Sequence, residues 1–260
     1  MKLRTFLTQF LSFTLSAAAL TACSDDKDAT SATPAPGTLD IEVSHVVGSA
    51  PLTLNSSTFY TTASGQQFKV STFNYYLSNF KLKKADGTEY AAPESYFLIR
   101  ESDPATKAFT LKDVPAGDYT SLTFTLGVDS VRNVSGAQTG ALDPSNGMFW
   151  TWNSGYIYTK LEGSSPQAGG NQQLVFHIGG FKKPNNTIRT LSPSLNGAVV
   201  QVRNGRTPTV HLQADVLKMF TGVTTIDFAK LSNTMGGPSS VLVADNQAAG
   251  MLRVDHVHGN

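Results

Sequence analysis

Five histidines and two tryptophans are the residues of this chain whose chemistry best suits a bound metal ion: His45, His177, His211, His256 and His258, with Trp150 and Trp152. Neutral imidazole is a good ligand for copper, zinc, iron and nickel. The single cysteine, Cys23, excludes thiolate-rich zinc or iron–sulfur sites and any internal disulfide. His256 and His258 stand at i and i+2, which on a strand places both imidazoles on one face, where they would reach one ion. A histidine pair near a chain end is equally at home as solvated surface. Trp150 and Trp152 share the same spacing, and an aromatic pair closing one end of a fold is the plainer account of them. Asp129, Asn133, Asp143 and Asn146 bring oxygens into the same stretch without EF-hand spacing, so turn formation is expected of them before calcium binding. No Gly-x-Ser-x-Gly elbow, His-Glu-x-x-His or phosphate-binding loop occurs, and the chain reads as a binding protein, not an enzyme.

These residues need a scaffold, and the pattern around them is that of strands. Leu39, Ile41, Val43 and His45 alternate with Asp40, Glu42 and Ser44. Phe68 to Leu82 reads as extended structure with a helical turn expected near Tyr75, followed by a hairpin signal at Asp86-Gly87. Short strands are expected at 97–100, 109–111, 121–127, 155–163, 173–179, 198–202 and 209–216, and short helices at 216–220 and 245–250. No long 3.6-residue periodicity and no strand–helix alternation is present, which argues against a parallel sheet. The expected fold is all-β: an antiparallel β-sandwich with Greek-key-like connections and a few short helices.

The composition agrees. Of 260 residues 40% are hydrophobic and only 15% charged, enough for one large core. Lys+Arg 20 against Asp+Glu 19 leaves no basic excess, so nucleic acid is not an expected partner. Residues 1–22 have the parts of an export signal: Lys2 and Arg4, an apolar run from Phe6 to Leu20, then Leu20-Thr21-Ala22 before Cys23. This box resembles the bacterial lipoprotein signal, with Cys23 as the lipid-modified residue. Ser24 after it resembles the sorting pattern for the outer membrane, with membrane attachment through the lipid alone. Residues 23–38 are too polar and Pro-rich to pack and are expected to form a tether, leaving 39–260 as one domain.

One block is specific enough to compare with a family. The run from Leu126-Gly-Val-Asp-Ser, through Leu142-Asp-Pro and Gly147-Met-Phe-Trp-Thr-Trp, to Gly155-Tyr-Ile and Lys160-Leu-Glu-Gly163 closely resembles the MbnP family of bacterial copper-binding proteins. Val43-Ser-His-Val-Val-Gly48, Tyr75-Tyr-Leu-Ser-Asn-Phe80 and Phe176-His-Ile-Gly-Gly180 extend the likeness across most of 39–258. The resemblance implies a periplasmic protein that binds one copper ion through histidines and a tryptophan oxidised to kynurenine, as in the more distant MopE and CorA. It implies a partner too, a di-haem MbnH/MauG-like oxidase. Carried over, Trp150 or Trp152 is the modified residue and His45 and His177 are the first-choice ligands, with His211, His256 and His258 also open; the Trp-x-His arrangement of MopE is missing. A second class of function is a cell-envelope binding or adhesion lipoprotein, contacting sugars or peptides through Trp150, Trp152, Tyr156 and Tyr158.

Overall fold

Two β-sheets enclose one apolar core in the computed structural model, which describes residues 34–259 apart from Ala137 and Ser154. The expected signal, Cys23 and most of the expected tether lie outside the described residues. The domain is the all-β sandwich expected from the strand pattern.

The smaller sheet is ordered Leu252–His258, Thr209–Asp215, Gly37–Val47, Ala50–Pro51, and Ala108–Val114 also pairs with Gly37–Val47. Its first strand begins at Gly37, two residues inside the stretch assigned to the tether. Gly37 packs so tightly that a Cβ there would stand 2.7 Å from the Arg203 carbonyl oxygen. Alternation then sorts the side chains: Leu39, Ile41 and Val43 enter the core with Val210, Leu212 and Ala214 of the neighbouring strand, while Glu42 and His211 point the other way.

The larger sheet runs Arg189–Leu191, Gly117–Leu126, Gln67–Lys84, Gly155–Ser164, Gln173–Gly179, Asn233–Met235. Gln67–Lys84 is unbroken strand, and the helical turn expected near Tyr75 does not form. Tyr75 and its neighbour Tyr76 instead point to opposite faces, each into its own apolar cluster, and that burial favours extended backbone. The hairpin at Asp86-Gly87 is present, joining Lys83 to Glu89.

Two pairings run parallel among otherwise antiparallel described strands: Gly37–Val47 with Thr209–Asp215, and Gln173–Gly179 with Asn233–Met235. Both join segments far apart in sequence, where local alternation carries no information about direction. The helices are Ser130–Val134, Leu217–Phe220 and Pro238–Gly250; the last begins earlier than 245 because Pro238 occupies its first turn, where a missing N–H costs nothing.

The outer face of the larger sheet is also covered. The described residues of 127–155 fold over it, and Val128, Leu142, Met148, Trp150, Tyr156, Ile157 and Tyr158 bury Tyr76 and Leu98 beneath them. This second cluster positions the tryptophan block.

Candidate metal-binding sites

Trp150 and Trp152 have different surroundings. Trp150 pairs with Gly155 in a short hairpin and is buried, 5% exposed, whereas Trp152 lies in the turn and is 66% exposed. Their ring centroids are 5.5 Å apart. The Trp150 ring seats on Gly179: a Cβ at that position would lie 2.8 Å from Cζ3 and 2.9 Å from Cη2. Its far edge also meets Gly236, and its indole N–H is buried without an acceptor among the described residues. A cavity of about 740 Å³ opens beside the ring, lined also by Asn133, Phe149, Phe181 and Lys183.

His177 lies on the same side of the sheet, two residues before Gly179. Strand alternation sends Phe176 and Ile178 into the core and turns His177 outward with its cross-strand partner Lys160. Its Nε2–H donates to Glu162 Oε1 at 2.9 Å, which leaves the Nδ1 lone pair for a ligand. Burial lowers the pKa of His177, with the Glu162 hydrogen bond opposing, so the ring is neutral at neutral pH. A carboxylate holding the far N–H is the usual support of a metal-binding imidazole.

His45 is placed elsewhere. It projects from the smaller sheet into the interior, with Nε2 2.7 Å from the Tyr75 hydroxyl and Nδ1 2.6 Å from Glu101 Oε2. Burial pushes the Tyr75 phenol well above its ordinary pKa, so it keeps its proton and donates to Nε2; Nδ1–H then donates to Glu101. Both ring nitrogens are thereby committed. Tyr75 faces the inner side of the larger sheet and His177 the outer side, so the structure does not bring His45 and His177 to one ion. The resemblance paired two histidines that the sheet separates.

Three other histidines do converge. One ligand nitrogen from each of His211, His256 and His258 lies within 4.8 Å of the other two, the one such cluster of metal-ligating side chains among the described residues. His211 and His258 approach most closely, Nε2 to Nε2, at 2.7 Å. The i, i+2 spacing of His256 and His258 does place both on one face, with ring centroids 5.7 Å apart. His211 joins them from the adjacent strand, which sequence spacing alone did not signal.

The loop oxygens have structural duties. Asp129 caps Ser130–Val134 by accepting from Arg132 N–H, and it also accepts from the Tyr96 hydroxyl at 2.5 Å. Asn133 accepts from Tyr156 N–H and donates to the Val128 carbonyl. Asp143 caps the turn at Ser145, and Asn146 accepts from Arg100. Tyr156 and Tyr158 are buried with Trp150, so of the four aromatics expected to form a stacking surface only Trp152 is exposed.

The MbnP family model matches residues 36–237. Among solved structures, MbnP from Methylosinus trichosporium is similar at 13% identity, over 84% of this chain and 97% of that one, with a TM-score of 0.48. No curated protein sequence matches.

Proposed function

The chain belongs to the MbnP family, and from that membership we propose a copper-binding protein of the cell envelope, not an enzyme, in which Trp150 is the tryptophan that becomes kynurenine. The observation that carries this reading is the seat of Trp150 on Gly179, two residues along the same strand from the outward-facing His177. An intact indole N–H only donates; ring opening converts that nitrogen to an aromatic amine with a lone pair. In Trp150 this nitrogen is buried and has no acceptor among the described residues, so the conversion breaks no hydrogen bond to any of them. His177 would hold the ion through Nδ1, with Glu162 fixing the ring, and the amine derived from Trp150 would complete the pair of nitrogen ligands.

The oxidation cleaves the C2–C3 bond of the indole and releases C2 as formate. It is a four-electron step, balanced by two equivalents of peroxide reduced to water, with one further water consumed in the deformylation. A separate di-haem oxidase of the MbnH/MauG type would carry it out. Trp152 stands at the surface over Trp150, where such a partner would first meet the pair. Copper bound there would supply a nitrogen-ligated, redox-active centre; the protein's part is to fix the ligands and shield one side of them. Lipidation at Cys23 would hold the domain at the periplasmic side of the outer membrane.

Copper titration of wild type and W150F, each produced with the active oxidase, tests the reading. Wild type should retain one copper that W150F lacks; equal retention by both would defeat it.

A further inference from the structure

We propose that the outer face of the smaller sheet carries a separate metal site, in which His211, His256 and His258 hold one divalent first-row transition ion. The site does not depend on the tryptophan. Two of its three ligands lie beyond residue 237, where the match to the family ends.

The backbone builds it in two ways. The parallel pairing of Gly37–Val47 with Thr209–Asp215 sets Glu42 directly beside His211, and its carboxylate stands 3.4 Å from His211 Nδ1. On the other flank, the register between Thr209–Asp215 and Leu252–His258 slips between His211 and Leu212, so that Asp255 is an extra residue in its strand. Neighbours in a regular strand point to opposite faces, but the bulge turns Asp255 and His256 to the same one. Asp255 Oδ2 then lies 2.9 Å from His256 Nδ1, while Arg253 holds the other carboxylate oxygen at 3.1 Å. Val254 and Val257 remain on the core side, and His256 and His258 on the open side.

In both cases a carboxylate takes the Nδ1 edge and leaves Nε2 for a ligand, the arrangement that orients metal-binding imidazoles. The rings lie nearly parallel, His211 to His256 at 4.2 Å and 12° and His211 to His258 at 4.7 Å and 29°. Two nitrogens each about 2.0–2.1 Å from one ion at a right angle are separated by ~2.9 Å. The 2.7 Å between His211 and His258 Nε2 is close to that separation. Three imidazoles and no thiolate favour copper(II), zinc or nickel, copper binding most tightly for a given nitrogen set. His256 and His258 are exposed, which leaves further coordination positions to water or to an exchanging partner.

The test is titration of the full chain, produced without any oxidase so that both tryptophans stay intact, with copper(II) chloride under equilibrium dialysis and electron paramagnetic resonance. Wild type should bind one copper(II) per chain with nitrogen hyperfine splitting. H211N and the double variant H256N/H258N should lose that ion and its signal while keeping the wild-type circular dichroism and melting temperature. H177N should retain both. Glu42→Gln and Asp255→Asn, which leave the ligands in place, should each weaken binding about tenfold. Absence of copper from wild type, retention by H211N/H256N/H258N, or loss in H177N would overturn the proposal. Kynurenine formation at Trp150 is read separately, by mass, so each reading can fail alone.

Discussion

The ring of Trp150 rests on Gly179 with no room for a side chain between them: a Cβ at 179 would also meet the Tyr156 carbonyl oxygen at 2.6 Å. Gly179→Ala should therefore destabilise the protein by ~1–3 kcal/mol, the range of an overpacked interior site. It should also raise the solvent accessibility of Trp150, read as a red shift in its fluorescence in a W152F background. Wild-type stability and emission in G179A would show that the seat is loose.

Asn133 ties the covering segment to the sheet, accepting from Tyr156 N–H at 3.0 Å while donating to Val128 and Asp129 carbonyls, both at 2.8 Å. Removing it leaves the buried Tyr156 N–H and the Val128 carbonyl short of a partner, while the Asp129 carbonyl keeps the Asn133 backbone N–H. Asn133→Ala should cost about 2–3 kcal/mol in urea unfolding, whereas Asn146→Ala, at a more exposed turn, should cost about 1 kcal/mol or less. Equal costs would count against a special role for Asn133.

The His45–Glu101 pair sets a pH dependence. Burial lowers the His45 pKa in the folded state, so the unfolded chain takes up a proton first as pH falls through about 6.5. That contribution to stability is complete above the unfolded pKa and declines as pH drops toward the folded one. Burial acts against the Glu101 carboxylate, but hydrogen bonds from His45 and Lys107 outweigh it and hold the pKa below the ordinary value. Its share persists above the unfolded pKa and is lost in stronger acid. Urea midpoints should fall from about pH 7.5 to about 5.5, and H45N should flatten that slope. A slope unchanged in H45N would mean that other histidines carry it.

Much of this arrangement was legible in the residues. His45 shares the apolar side of its strand with Leu39, Ile41 and Val43, and it is buried accordingly. The i, i+2 spacing of His256 and His258 gave one face of a strand. What local pattern did not carry was pairing over distance. Glu42 meets His211 only because two remote strands run parallel, and Asp255 reaches His256 only through a one-residue bulge. Family resemblance joined His45 to His177, but resemblance has no faces; the alternation of Tyr75 and His177 about the larger sheet does. The two tryptophans could not be told apart by spacing, since their difference lies in which one Gly179 receives.

The bulge has its own consequence. Deleting Asp255 should restore regular pairing, keep His256 and His258 on the open face and remove the carboxylate from His256. Copper(II) should then bind about 10-fold more weakly, with stoichiometry unchanged. Loss of the ion altogether would indicate that the bulge sets ring position as well as the hydrogen bond.

The most direct test of the central claim is peptide mass spectrometry across the segment holding Trp150 and Trp152, on protein produced with and without an active di-haem oxidase. The account expects the mass change of one carbon exchanged for one oxygen, at Trp150, only when the oxidase is present. Modification confined to Trp152, or an unmodified peptide beside a demonstrably active oxidase, would contradict it.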